Sequence, residues 1–182
     1  MSFVPESSRL VALATLALCA PMSGCRSRPP LALERHVDIP RFMGDWHFIA
    51  CIPTRIERSA YGPTESYTLD PQGRIPTVFT FRQGGFQGAP ERYTPTGFVQ
   101  LGSGGTVWSM QFIGPIKADY RIMYVDSEYQ LTVIGREKRD YAWLMARTPR
   151  VAESDFERLR TRLASQGYDV PSLRRMPQPQ QP

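Results

Sequence analysis

The run Arg41-Phe42-Met43-Gly44-Asp45-Trp46-His47-Phe48-Ile49-Ala50 decides how the rest of the chain is read. Gly44 stands two residues before Trp46, at the head of an apolar stretch. A glycine there lets the backbone turn sharply or pack closely where a side chain would not fit. The tryptophan supplies a large plug whose indole N–H needs one partner. Taken alone, this is any core tryptophan on a first strand. Two distant stretches give it weight. Asp126 and Tyr129 share a turn far downstream, and Arg147 ends a later strand in Ala146-Arg147-Thr148-Pro149.

Outward from this run the chain holds eight strand-like segments, near 44–52, 64–70, 76–83, 92–100, 105–113, 120–126, 129–135 and 141–147. Several alternate with the period of two that marks one buried sheet face. Trp108, Met110 and Phe112 share a face, with Ser109 and Gln111 on the other; Tyr141, Trp143 and Met145 share a face in the last segment. By the same parity Phe48 lies with Trp46, whereas His47, Ile49 and Cys51 point the other way. The links, such as Pro71-Gln72-Gly73 and Gly114-Pro115, are too short for crossover helices, so successive strands are antiparallel. Eight such strands close into an up-and-down barrel whose interior holds one small ligand. One helix follows. Ser154 and Glu157 have the spacing of a capping box, Phe156, Leu159 and Leu163 fall on one face, and Gly167 suits a C-cap. Barrel and outer helix occupy 39–175, and the Pro/Gln-rich tail 176–182 is expected to be disordered.

Gly44-x-Trp46, the Asp126–Tyr129 turn and Arg147 together resemble the three signature regions of the lipocalins, and the likeness runs from Ile39 to Leu173. Within that family it leans towards the bacterial outer-membrane lipoproteins. The resemblance implies an all-β, eight-stranded antiparallel up-and-down barrel with one C-terminal helix outside. It also implies a carrier that binds a hydrophobic amphiphile, such as a fatty acid or lysophospholipid, without transforming it. Connectivity brings Trp46, the Asp126–Tyr129 turn and Arg147 to one end. There the guanidinium can cover the indole, a cation–π contact of about 0.5–2 kcal/mol, and close the barrel. These roles are structural. The other end stays open. Its loops carry Arg55, Arg58, Lys117, Arg136, Lys138 and Arg139 against Glu57, Glu91, Asp119, Glu137 and Asp140, a modestly basic mouth. The candidate cavity residues are Phe48, Trp108, Met110, Phe112, Tyr141, Trp143 and Met145. Arg121, just below the mouth, is satisfied either by an acidic side chain or by an anionic ligand head.

The N-terminus reads as an export signal. Arg9 precedes the run Leu10 to Ala20, which is too short to span a bilayer as a helix and suits a signal-peptide core. Met22-Ser23-Gly24-Cys25 then resembles a bacterial lipobox. This makes 1–24 a lipoprotein signal peptide, Cys25 the lipidated N-terminus with palmitate or similar chains, and 25–38 a spacer. Arg26 in place of an aspartate suggests the outer membrane, with the domain facing the periplasm. With Cys19 removed and Cys25 lipidated, Cys51 is left alone of the three cysteines, so no intramolecular disulfide forms.

Signals for other functions are thin. The net charge of +5 carries no Lys/Arg block of the kind that binds nucleic acid. Two histidines, His36 and His47, make no metal-ligand pattern, and no cofactor motif is present. A homodimer is left open. Two further readings remain: a thiol-dependent isomerase or peroxidase using Cys51, and a barrel that is only a scaffold for envelope partners.

Overall fold

The computed structural model describes residues 28–179; Cys25 and the leader lie outside them. In chain order the elements are α1 (Ile39–Phe42), β1 (Gly44–Ile52), β2 (Ala60–Tyr67), β3 (Arg74–Gln83), β4 (Pro90–Tyr93), β5 (Thr96–Val99), β6 (Val107–Ile113), β7 (Ile116–Val125), β8 (Leu131–Gly135), β9 (Ala142–Ala146), α2 (Glu153–Ser165) and β10 (Arg174–Arg175). Neighbouring strands pair antiparallel, and β1 pairs with β9 from His47↔Ala146 to Ile52↔Ala142, which closes the sheet on itself. β4 and β5 both pair with β3 and form one interrupted strand. The break falls at Pro95, which has no N–H to donate; its carbonyl accepts from Thr77 N instead. The result is a closed barrel of eight antiparallel strands.

The expected strands are found, but several ends shift. β7 begins at Ile116, four residues before the expected start, because Ile113 pairs with Ile116 across a two-residue turn. Gly114 sits there at φ 53°, a left-handed conformation suited to glycine. A mouth loop expected over 114–119 is therefore a tight hairpin.

Apolar residues fall in two layers. One fills the barrel and includes Phe42, Trp46, Tyr67, Ile75, Trp108 and Ile122, each at most 1% exposed. The other joins the barrel to α2, where Ile49, Val133 and Leu144 meet Phe156, Leu159 and Leu163. The helix explains why β8 and β9 are apolar on both faces: Ala142, Leu144 and Ala146 lie beneath it. The capping box does not form. The residue before the helix is Ala152, without a side-chain cap, and Glu157 pairs with Arg160 instead. Glu153 and Asp155 in the first turn still favour that end of the helix dipole. Gly167 does end the helix, at φ 78° with its N–H on Ala164 O.

Both ends of the described stretch are more ordered than composition suggests. In the expected spacer, Leu31 and Val37 are buried, and Glu34 N and Val37 N donate to Ile122 O and Gly104 O. The segment is strapped along the barrel because its apolar side chains find matching gaps. The described part of the expected disordered tail is also packed. β1 pairs with β2 only at Gly44–His47, and β10 takes over the same edge at Ala50 and Cys51. Beyond it Met176 N donates to Ile49 O, Gly62 N to Pro177 O, and Gln178 Nε2 to Phe48 O. The C-terminal strand and tail thus fill a split between β1 and β2 that would otherwise leave backbone groups unpaired.

Candidate functional site

The closed end is built first, because it sets the floor of the cavity. Gly44 has φ 94°, and a Cβ there would lie 3.4 Å from Arg147 Nη1. That geometry delivers Trp46, fully buried, into the barrel. Its indole N–H donates to Phe42 O at 2.9 Å, the carbonyl ending α1. Arg147 covers the ring at 3.9 Å from its centroid and donates to Tyr129 O, Asp45 O and Arg41 O at 3.1, 2.9 and 2.9 Å. Asp126 Oδ1 accepts from Gln130 N and Leu131 N, at 2.7 and 2.8 Å, which folds the turn that presents Tyr129. Tyr129 has φ 55°, and its hydroxyl accepts from Asp38 N at 2.8 Å. Gly44, Trp46, Asp126, Tyr129 and Arg147 therefore meet at one end. α1, which no sequence pattern marked, joins them, with the Phe42 ring tilted against Trp46 at 5.0 Å.

Above this floor an apolar cavity of about 200 Å³ opens towards the other end. Of the residues expected to line it, Phe48, Met110, Phe112 and Trp143 do. Trp108 and Met145 are fully buried and lie in the packed interior outside the wall; Trp108 stacks 5.2 Å from Tyr120 and donates to Gly105 O. Two further expectations are corrected. Tyr141 is outside the wall, because β9 begins only at Ala142; its ring lies under the Arg136 guanidinium at 5.2 Å. Arg121 is also outside the wall, because β7 turns Tyr120 and Ile122 inward and Arg121 away. Its guanidinium pairs with Asp119 at 3.0 Å and Glu137 at 3.2 Å.

The rim is less basic than the residue count implies. Arg136 pairs with Asp140 at 3.4 Å, Arg139 donates to Gln166 O, and Lys117 lies over the Phe98 ring at 4.0 Å. Protein groups engage these cations.

The cavity holds polar groups that alternation did not reveal. Glu65, on β2, is opposite Trp46 and Phe79 in the sheet and 8% exposed. The Tyr67 hydroxyl donates to its Oε2 and lies 2.8 Å from the Tyr120 hydroxyl. Burial, reinforced by the nearby Glu57 carboxylate and opposed by the Tyr67 hydrogen bond, pushes the Glu65 carboxyl up to about 7. Burial also raises both tyrosines. Glu57, in a single helical turn between β1 and β2, is 6% exposed. It accepts from Thr54 N at 2.7 Å, from the Thr54 hydroxyl, and from Trp143 Nε1 at 3.3 Å. Sequence reading missed Glu65 because Thr64 and Ser66 flank it, so polarity does not alternate there. The one available signal was Tyr67 two residues on, sharing its face.

Cys51 also departs from parity. A register shift between Phe48 and Ala50 reverses the facing, so Cys51 lies opposite Trp143 on the inner side rather than outside. It is fully buried, with its sulfur 3.4 Å from Met176 Sδ, and burial pushes the thiol up to about 12.

Comparison with known proteins agrees with this architecture. The family model described as lipocalin-like domain matches residues 37–178. Temperature-induced lipocalin-1 of Arabidopsis thaliana is 29% identical over 158 residues, covering 84% of this chain and 85% of the relative. Outer membrane lipoprotein Blc of Escherichia coli (strain K12) is 26% identical over 167 residues, covering 88% and 91%. Insecticyanin of the tobacco hornworm Manduca sexta superposes with a TM-score of 0.66 at 14% identity, covering 82% and 85%, and shares the fold. With the closed barrel, its capped end and this match over most of its length, the chain belongs to the lipocalin family.

Proposed function

We propose that this protein carries one hydrophobic amphiphile, of the fatty-acid or lysophospholipid kind, within the cell envelope of a bacterium, and does not transform it. The observation that carries the reading is the enclosed cavity, walled by Phe48, Ile56, Phe79, Met110, Ala118 and Trp143. Burying an acyl chain there yields roughly 25 cal/mol per Å² of apolar surface before ordering costs. At about 200 Å³ the cavity is below the roughly 300–1,000 Å³ of drug-sized sites. A long chain therefore enters only in part, or displaces soft side chains such as Met110. The buried, high-pKa thiol of Cys51 argues against thiol catalysis, because the thiolate is the nucleophile.

The lipobox-like Met22-Ser23-Gly24-Cys25 supports a lipid anchor in the outer membrane with the barrel facing the periplasm. Relatives named outer membrane lipoprotein add to that support. A single acyl chain holds a protein only marginally, so multiple acylation is required. The test pairs two measurements. Titration with a lysophospholipid should quench Trp143 and lose most of its signal in Trp143→Phe. Cys25→Ser should move the protein from the membrane to the soluble fraction. No quenching removes the carrier reading; unchanged membrane association removes the anchor.

A further inference from the structure

The cavity wall is apolar except at a few places, and one of them is unfinished. Glu65 is more than nine-tenths buried and borders the cavity. Tyr67 satisfies its Oε2, and among the described residues no hydrogen bond reaches Oε1. The other carboxyls in the wall, Glu57 and Asp119, are different: both oxygens of each have protein donors. The buried side-chain polar atoms without a partner among the described residues are Arg136 Nε and Gln178 Oε1, so Glu65 Oε1 is not sealed off but open to the cavity, where a partner with an O–H or N–H can reach it. The position is also fixed. Glu65 lies across the sheet from Trp46, whose ring is pinned by Arg147; Tyr67, two residues on in the same strand, donates to it, and Tyr120 of β7 meets the Tyr67 hydroxyl from the far side.

We infer that Glu65 Oε1 is the acceptor for a ligand group that carries a hydrogen-bond donor, so that the cavity favours amphiphiles ending in a hydroxyl or ammonium over those ending in a carboxylate. This rests on the carrier reading above and narrows it, towards hydroxyl- or ammonium-bearing amphiphiles and away from fatty acids at neutral pH. A carboxylate brought beside an ionised Glu65 would meet like charge, and the cation in the wall, Arg136, is already paired through Nη1 with Asp140 at 3.4 Å, its buried Nε having no partner among the described residues. The other ionisable groups facing the site are Glu57, which adds negative charge, the neutral Tyr67 and Tyr120, and Asp119 and Arg136, which also border the cavity. Protonation of Glu65 turns the acceptor into a donor and removes the repulsion. Acids therefore bind better as pH falls through the neutral range, while amines bind worse.

The test uses the full-length chain, stripped of co-purified lipid, and three probes that share one short chain: octan-1-ol, octylamine and sodium octanoate. Calorimetric titration at pH 8 should rank amine and alcohol above octanoate by about tenfold or more, equivalent to roughly 1.4 kcal/mol. At pH 5.5 the octanoate deficit should shrink severalfold while octylamine weakens. Glu65→Gln should abolish the amine preference and flatten both pH trends, leaving octanol within about threefold. Should that variant fold poorly, the wild-type ranking at two pH values decides alone, and Tyr67→Phe, which removes the hydrogen bond that holds the Glu65 carboxyl down, should move both pH trends to higher pH, with octanoate binding better at pH 8 than in the wild type. Equal binding of all three probes at both pH values overturns the assignment of Glu65 while leaving the carrier intact. Binding of none overturns both.

Discussion

Glu65 should tie the stability of this barrel to pH, and the effect can be separated from every other titration by one substitution. Its carboxyl rises from an ordinary 4.5 to about 7 in the folded protein, chiefly through burial. Between those values the folded chain keeps a proton that the unfolded chain has released. Stability from this group is therefore full below about pH 4.5, falls as pH rises towards 7, and is flat above. At about 1.4 kcal/mol per pH unit, the loss across the window is about 3 kcal/mol. His47 works in the opposite sense. Burial lowers it, so the folded chain sheds a proton that the unfolded chain holds below 6.5, and stability is lost as pH falls through that range. A wild-type profile mixes the two. Glu65→Gln isolates the first, because the amide oxygen still accepts from Tyr67, and Tyr67 and Tyr120, which the Glu65 charge also raises, stay neutral throughout this range. In urea unfolding followed by tryptophan emission, the stability of the variant relative to wild type should improve by about 3 kcal/mol between pH 4.5 and pH 8. Trp46 and Trp108, fully buried, report the transition. A difference constant to within about 0.5 kcal/mol over that range would refute the claim that this carboxyl is buried and protonated, whatever the absolute stabilities.

Three further outcomes rest on the same packing. Trp46→Ala should cost about 3–5 kcal/mol as a large buried truncation, and its combination with Arg147→Ala should show about 0.5–2 kcal/mol of coupling in a double-mutant cycle, since the guanidinium lies 3.9 Å from the ring; strict additivity would separate them. Native Cys51 should resist iodoacetamide at pH 8, with modification appearing only on unfolding, because the thiol is fully buried and raised to about 12. Met176→Ala, which removes the side chain covering that sulfur, should destabilise the barrel by about 2–5 kcal/mol and speed the alkylation; an unchanged labelling rate would mean the tail does not seal this seam.

The barrel was legible where polar and apolar residues alternate strictly. β6 is the clear case: Trp108 and Met110 are buried, and Ser109 and Gln111 are only half-buried, as the pattern demands. It was not legible where alternation lacks contrast. From Ile49 to Ile52 all four residues are apolar, so the register shift after Phe48 left no trace and Cys51 was assigned to the wrong face. Around Glu65 the contrast fails the other way, since its neighbours are polar too. Arg121 shows a third limit. Charge placed it near an open mouth, but only the pairing of β7 fixes which side of the sheet it occupies, and Asp119 and Glu137 hold it there. The tail shows a fourth. Composition describes what a segment does alone, whereas Met176 to Gln178 are ordered by unpaired edge groups on strands more than a hundred residues earlier.

The interior divides into a rigid half and a soft half, and that division bears on what the cavity can select. Towards the closed end, Phe42, Trp46, Tyr67, Trp108 and Tyr120 contact one another at centroid distances of 5.0–6.3 Å. Large rings locked edge-to-face or stacked have few alternative rotamers, and Arg147 fixes the last of them by hydrogen bonds to three carbonyls. Elsewhere the wall includes side chains with more freedom of their own. Met110 is unbranched and adaptable, and Phe112 is 46% exposed. Room for a longer chain therefore comes from the soft half. The polar trio of Glu65, Tyr67 and Tyr120 belongs to the rigid half, and its position does not move with the size of the occupant. Chain length is accommodated where the wall yields, while the chemistry of the group that reaches Glu65 is judged where it does not.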